Sequence, residues 1–485
     1  MQHQKPSYVL SFLPLVILII LLCVNVVVYG DNSSYGPNQI ALIVATLVSG
    51  LIGVFILKID YHYLEKKMIE SIGLSMQSVL ILLVVGALIG TWILSGVVPT
   101  MIYYGVKLIH PVVFLPVSLL ICSIVSLVTG SSWSTAGTVG IALIGIGTAL
   151  NIPVSMVAGA IVSGAYFGDK MSPLSDTTNL APAAAGSEIF EHIRHMLYTT
   201  VPSYLITLFL FTILGLFYGD SNLSTSRVDE MVHIIDQNFN INLWLFSLPL
   251  IVFFLVKKKV PALPSLLVGA FLGSVYALIF QQDLLLRLGA DTFLKSYEVI
   301  LKVSFDGFKS NTGNILIDQL FSRGGMSGML NTIWLILMAM TFGGMMEVTG
   351  MLKKLAEGIL TAVKGVTSLV ASTVGTAFFL NLTTSDQYIS IVVTARMFKE
   401  SYRQKQLKMK NLSRAVEDSA TVTSVLIPWN TGGAYFSSVL GVSTLSYLPF
   451  AFFNLISPFM SVFIASTGKT MEKIEEDEHG KKEEN

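Results

Sequence analysis

The chain has 485 residues, 53% of them hydrophobic and 12% charged, with 30 basic and 30 acidic side chains. Soluble domains carry about 25% charged residues, so this composition excludes a water-soluble globular fold, and the even charge balance gives no basic surface for nucleic acid. Apolar runs of about 20 residues recur along the whole length and the mean hydropathy is +0.70, so the expected fold class is an all-α polytopic membrane protein.

The first run, Tyr8–Tyr29, is longer than the ~7–15-residue apolar core of a signal peptide, and no small-x-small cleavage site follows it; it reads as the first membrane helix. Further segments are predicted at 38–58, 78–106, 110–128, 135–150, 153–187, 195–219, 241–256, 261–281, 327–348, 366–384, 386–397, 413–443 and 447–467. The runs 153–187 and 413–443 are broken, and 135–150 and 386–397 are short enough for re-entrant halves. Cys23 and Cys122 lie inside apolar runs and read as small buried hydrophobes. His192 and His195, beside Arg194 at a predicted membrane edge, read as an interfacial loop.

Basic residues set the expected orientation. Lys58, Lys66 and Lys67 follow the second segment, Lys257–Lys259 the eighth, Lys353, Lys354 and Lys364 the tenth, and Lys399, Arg403, Lys405, Lys408, Lys410 and Arg414 the twelfth. If these face the cytosol, both termini do too, and the connections 30–37, 220–240 and 282–326 face outward. Segments 78–106 and 327–348 then run in opposite directions. Each is followed by a further apolar segment and a small-polar cluster, Thr129-Gly-Ser-Ser-Trp-Ser-Thr135 or Asn381-Leu-Thr-Thr-Ser-Asp386. A long broken segment with acids comes next. The expected organisation is two inverted five-segment repeats, 76–220 and 327–467. Around them lie N-terminal membrane helices (1–75), connecting helices with an outer loop (221–326) and a solvated cytosolic tail (468–485).

The candidate site is built on the breaks. As one helix, the 35 residues of 153–187 would extend ~50 Å against a hydrocarbon core of ~30 Å. Pro173, Pro182 and flanking glycines say where it gives way. Freed backbone groups in lipid must face protein, water or ions. Asp169, Ser172, Ser175, Asp176, Thr177, Thr178 and Asn179 add side-chain oxygens, which suit a hard cation such as Na⁺; the plainer alternative is a polar loop with Ser175 or Asp176 as a helix N-cap. In the second unit Pro428, Gly432 and Gly433 break the segment, with Asn430 and Thr431 at the break and Glu417 and Asp418 upstream. Neighbouring helical positions point ~100° apart, so one acid is expected to face inward, and the polar run Ser419, Thr421, Thr423 favours Asp418. Asp386 follows Asn381, Thr383, Thr384 and Ser385 and reads as an N-cap that can also bind an ion; Ser131, Ser132, Ser134 and Thr135 play that part in the first unit. Asp169, Asp176 and Asp418 are the candidate Na⁺ ligands. A buried carboxylate that holds either a proton or Na⁺ couples the two flows by competition alone. Lys170 can pair with Asp169 between cycles. Trp133 and Trp429 read as interface anchors, with a gating role open.

Gly168-Asp-Lys-Met-Ser-Pro-Leu-Ser-Asp-Thr-Thr-Asn179, Gly130-Ser-Ser-Trp-Ser-Thr-Ala-Gly-Thr138, Glu417-Asp-Ser-Ala-Thr421 and Pro428-Trp-Asn-Thr-Gly-Gly433 resemble the NhaC family of bacterial sodium/proton antiporters over roughly residues 75–465. The resemblance implies a multi-pass protein of the bacterial cytoplasmic membrane, driven by ion gradients. Na⁺ and H⁺ would be the transported ions, the bilayer its surroundings, a homodimer a compatible assembly, and no cofactor is needed. The same group includes exchangers of malate and protons for lactate and sodium, and amino-acid carriers. A carboxylate substrate calls for Arg, Lys or helix N-termini, and the motifs contain only Lys170, which favours the bare cation. A membrane-embedded enzyme is the reading from another class; no metal-ligand spacing or Ser/His/Asp order supports it. A passive channel would need no ion-trapping carboxylates.

Overall fold

The structure, a computed structural model, describes residues 5–30, 33, 35–218, 225–360 and 363–474. No β-strand occurs among them. The helices in chain order are α1 (Tyr8–Tyr29), α2 (Pro37–Leu51), α3 (Tyr61–Leu74), α4 (Met76–Leu94), α5 (Val97–Leu108), α6 (Pro111–Thr129), α7 (Ser132–Thr135), α8 (Ile141–Ala149), α9 (Val154–Met171), α10 (Asp176–Ala185), α11 (Ile189–Tyr218) and α12 (Thr225–Asn238). They continue with α13 (Ser247–Lys257), α14 (Ala262–Phe280), α15 (Gln282–Arg287), α16 (Phe293–Asp306), α17 (Ile315–Phe321), α18 (Leu330–Val348), α19 (Met351–Leu360), α20 (Val366–Thr384), α21 (Gln387–Gln404), α22 (Met409–Val416), α23 (Thr431–Leu440), α24 (Thr444–Tyr447) and α25 (Phe452–Thr467). Among the described residues eight helices are long and apolar enough to cross a membrane, or up to ten if each of two sharply bent pairs counts as a span.

Side-chain placement suits a lipid solvent. On α11, Leu205, Phe209 and Phe217 point outward, 59–76% exposed, while Thr199, Thr200, Ser203 and Thr207 are buried. Lipid tails are as apolar as leucine, so helices associate through small and hydroxyl-bearing faces that allow close approach and interhelical hydrogen bonds. The same rule joins α6 to α9. A Cβ on Gly164 would come within 2.4 Å of the Leu119 carbonyl oxygen, and one on Gly168 within 2.4 Å of the Leu127 nitrogen. Ser126 on α6 donates to the Ala165 carbonyl at 2.6 Å across this contact.

Elements recur at a constant spacing. From Pro111 to Val366, from Asp176 to Thr431 and from Ile189 to Thr444, equivalent helix starts lie 255 residues apart. The π-helix Ala136–Gly140 joins α7 to α8, so the 18 residues 132–149 run continuously and match α21 (Gln387–Gln404) at the same shift. Hydrogen bonds recur as well: Ser126 to Ala165 in the first half is matched by Asn381 Nδ2 to the Ala420 carbonyl, also 2.6 Å.

Several expectations change. Pro173 lies in the break between α9 and α10, but Pro182 sits inside α10. Gly432 and Gly433 likewise fall in the first turn of α23, and Pro428 marks the break. Segment 78–106 bends at Gly96, whose φ of +81° needs a glycine, giving α4 and α5. The loop 282–326 contains α15, α16 and α17. The tail does not leave the protein at residue 468: it returns to the turn between α21 and α22, where the Ile474 N–H donates to the Gln406 carbonyl at 2.9 Å. Residues 475–485 of that expected tail lie outside the described residues.

Candidate functional site

Helix α9 ends because Ser172 adopts extended backbone ahead of Pro173, as a residue before proline prefers. This leaves Asp169 in the last turn. Its Oδ2 accepts from the Ser132 hydroxyl at 2.6 Å and the Ser132 N–H at 3.2 Å. Ser132 opens α7, so the carboxylate sits against a helix N-terminus, where free N–H groups favour negative charge. Gly130, at φ +66°, turns the chain there; a Cβ would meet Leu174 at 2.7 Å. Ser175 caps α10 through the Thr178 N–H. Thr178 donates to both the Asp169 and Lys170 carbonyls, 3.0 Å each, satisfying acceptors that the helix end leaves open. Asn179 is exposed and folds back on its own loop, donating to the Pro173 and Ser175 carbonyls.

The second half repeats the construction with different chemistry. Ser385, at φ +60°, ends α20, and Asp386 caps α21 by accepting from the Tyr388 and Ile389 N–H groups at 2.9 and 3.1 Å. Asn430 caps α23. Thr431 reaches Asp386 Oδ2 at 3.4 Å, and the Thr431 N–H donates to the Ser385 carbonyl at 2.9 Å. Asn381 ties α20 to the Ala420 carbonyl and Thr423, and Asn430 bonds the Asn381 carbonyl. Thr384 spends its hydroxyl on the Leu380 carbonyl of its own helix. These side chains hold the break closed.

A cavity of about 1040 Å³ joins the halves. Asp169, Ser175, Asp176 and Thr177 line it from the first, Asp386 and Gln387 from the second. Asp176 is exposed at the opening, whereas Asp169 and Asp386 are 7% and 2% exposed. Ser132 stands behind Asp169. Glu417, Asp418, Asn430, Thr431, Asn381 and Thr384 do not line the cavity.

Glu417 and Asp418 fall in a π-helical turn, Glu417–Thr421. The expectation that one acid faces inward and the other outward assumed a regular α-helix at the membrane edge. Here the chain is enclosed on every side, and both side chains are buried. Lys170 pairs with Asp418 and not with Asp169, both partners being 0% exposed. Ser457 accepts from the Lys170 ammonium at 3.0 Å, and Thr199 donates to the same Asp418 oxygen at 3.0 Å. Asp418 is thus held by a cation of the chain itself. Glu417 makes no hydrogen bond through either oxygen; Thr421 and Thr177 flank it, with Lys170 nearby.

Both tryptophans make specific contacts inside the protein. Trp133 lines the cavity and stacks on Tyr435 with ring centroids 4.1 Å apart, and the Tyr435 hydroxyl donates to the Trp133 carbonyl at 2.7 Å. The Trp429 indole donates to the Leu382 carbonyl. His192 and His195 are not in a loop: they are buried on α11, against Ser413 and Asn411. Sequence reasoning missed Arg396 and Lys259 in the cavity wall. Arg396 was detectable as the first charge after the uncharged run Gln387–Ala395.

A multi-helix membrane protein with two interrupted helices, buried carboxylates at the interruptions and one open cavity between its halves has the design of a secondary transporter. The profile of the Na⁺/H⁺ antiporter family matches residues 164–469, and the chain belongs to that family. It is 39% identical over 435 residues to the malate-2H⁺/Na⁺-lactate antiporter of Bacillus subtilis, covering 89% of this chain and 90% of the relative. Identity is also 39% over 430 residues to the Na⁺/H⁺ antiporter NhaC of Alkalihalophilus pseudofirmus, with the same coverages. The arginine/ornithine antiporter ArcD of Halobacterium salinarum is 33% identical over 472 residues, covering 97% and 94%.

Proposed function

We propose that the chain exchanges Na⁺ for H⁺ across a bacterial cytoplasmic membrane, and that the two cations compete for Asp169 and Asp386. One observation carries this reading: two carboxylates, one from each half and each at an interrupted helix, open into a single cavity. Both are already oriented by N–H or hydroxyl donors on one side. A bound Na⁺ would take oxygens from the other side, with Ser175 and Thr177 as neutral ligands and Asp176 at the entry. A carboxylate that releases Na⁺ takes up a proton in its place, so neither ion crosses without the other.

Two inverted units, 76–220 and 327–467, complete the mechanism by moving against each other so that the cavity opens to alternate sides. The 255-residue recurrence supports the two units. The Lys259 side chain in the cavity wall supports an opening toward the cytosol, by the excess of Lys and Arg on that side. The termini are then cytosolic.

Purified protein in liposomes tests the reading. Adding Na⁺ alone should dissipate an imposed pH gradient, and Asp169→Asn should abolish the response while leaving the protein inserted. Full activity of that variant removes Asp169 from the mechanism. One observation favours a second reading: the cavity is far larger than a bare cation needs and carries Arg396 and Lys259, which suit an organic acid. A gradient response that requires malate or lactate selects that reading.

A further inference from the structure

A row of aromatic rings drawn from both halves lies across the floor of the cavity, away from its opening. Trp133 of the first half lines the cavity and stacks on Tyr435 of the second, with centroids 4.1 Å apart and planes at 17°. Tyr435 meets Phe436 at 5.6 Å, and Phe436 meets Tyr166 on α9 at 5.4 Å. Trp133 is 9% exposed, and Tyr435, Phe436 and Tyr166 are wholly buried. The hydroxyl of Tyr435 fastens the row by donating to the Trp133 carbonyl at 2.7 Å.

The row stands just behind the two acids. Trp133 follows Ser132, whose hydroxyl holds Asp169. Tyr435 is one helical turn beyond Thr431, which reaches Asp386, and Tyr166 precedes Asp169 by three residues on α9. Beyond the rings α23 runs on to Gly441, where Arg323 donates to the Leu440 carbonyl at 3.2 Å. The early part of α9 meets the chain that follows α24: a Cβ on Gly159 would come within 2.5 Å of Phe450 Cβ. Arg323 belongs to the connection that leaves one end of α14, whereas Lys259, in the cavity wall, precedes the other end. Helix α14 is long and apolar enough to cross a membrane, so the rings separate the cavity from the face opposite its opening. An ion leaving on that side would have to enter packed rings stripped of water, which is costly. Trp133 Nε1 is buried without an acceptor, although a buried indole N–H usually finds one. A displaced Trp133 ring therefore has a hydrogen bond to gain as it gives up the stack.

We propose that Trp133, Tyr435, Phe436 and Tyr166 form the gate that closes the cavity on the face opposite its opening, with the Tyr435 hydroxyl as its latch. Trp133 and Tyr435 ride on the elements that hold Asp169 and Asp386, so the gate parts when the two halves move apart behind the acids. The gate rests on the exchange reading only for the identity of the ions it holds back; the leak assay below needs no Na⁺.

Purified protein in liposomes, in Na⁺-free potassium medium with valinomycin, reports the seal as the decay of an imposed pH gradient. Tyr435→Phe keeps every ring and removes only the latch; it should speed the decay roughly five-fold over the parent, the effect of one hydrogen bond. Tyr435→Ala removes the stack as well and should speed it roughly ten-fold or more. Tyr447→Phe is the control for general loosening: its hydroxyl is equally buried and donates to the Val425 carbonyl at 2.7 Å, but its ring stands outside the row. It should hold the gradient as the parent does. A parental rate in Tyr435→Phe, or equal leaks in Tyr435→Phe and Tyr447→Phe, overturns the gate. If Tyr435→Ala does not insert, Tyr435→Phe decides alone. A parent that exchanges no Na⁺ for H⁺ at any pH would refute the exchange reading instead, and the leak rates would still decide the gate.

Discussion

The Lys170–Asp418 pair offers the sharpest test of how charge is used in this protein. Asp418→Asn removes one charge and leaves a buried ammonium facing an amide, with Ser457 and Thr199 as its remaining polar surroundings. Breaking a buried pair on one side costs about 3–5 kcal/mol, because the remaining charge is uncompensated, whereas replacing both partners by neutral groups is often close to neutral. Both side chains are fully enclosed, so solvent screening does not reduce this figure. Asp418→Asn should therefore lower the thermal midpoint in detergent clearly, and Lys170→Gln with Asp418→Asn should restore most of it.

Transport read beside stability separates the two possible roles of Asp418. If Asp418 is only the counter-charge of Lys170, the double variant regains exchange together with stability. If Asp418 binds the transported cation, the double variant is stable and inactive. A single Asp418→Asn variant as stable as the parent, or a double variant no better than the single, would refute the ion-pair argument itself.

Two further outcomes follow from local geometry. Asp386→Asn keeps an N-cap acceptor and should leave stability nearly unchanged while exchange fails, whereas Asp386→Ala should also lose about 0.5–2 kcal/mol with the cap; parental exchange in Asp386→Asn would make Asp386 a cap and nothing more. Gly433→Ala would put a Cβ 2.0 Å from the Ile427 carbonyl oxygen, backbone that cannot yield, and should cost at least about 3 kcal/mol; Gly375→Ala, with nothing within 4 Å, is the control, and equal detergent stability of the two would show that the break at Pro428 has room to spare.

The legible part of the fold was what local rules decide. Long apolar runs marked the spans, and the breaks fell at Pro173 and Pro428, because a residue before proline resists helix. Pro182 and the Gly432–Gly433 pair misled because proline and glycine are also tolerated inside or at the start of a short helix, where few intrahelical hydrogen bonds are lost. In the site, Asp169 and the Asp386 cap were readable from neighbouring small polar residues. The partner of Lys170 was not: it lies 248 positions away, and the packing of α10, α11, α20, α21 and α25 around the 417–421 turn brings it near. His192 and His195 were misplaced for a related reason. A polar stretch at a helix start looks like a loop until its partners, here Ser413, Asn411 and the returning tail, are known.

The 255-residue recurrence bears on how many cation sites the halves make. At that shift Ser132 and Asp169 correspond to Gln387 and Ser424, which keep their hydrogen bond, Ser424 to Gln387 Oε1 at 3.1 Å, without a charge. Conversely Asp386 stands where the first half has Ser131, and Glu417 and Asp418 where it has Val162 and Ser163. The framework is shared while the carboxylates sit at non-equivalent places. Two equivalent sites, one per half, would need a carboxylate at position 424, and Ser424 is instead buried against the Tyr166 hydroxyl at 3.2 Å and the Thr421 carbonyl. The second half contributes Asp386 instead, which lines the same cavity as Asp169. Desolvating a cation demands compensating negative charge, and Asp169, Asp176 and Asp386 line this one cavity together, beside Lys259 and Arg396. The charges therefore favour a single exchange site spanning both halves over a pair of independent ones.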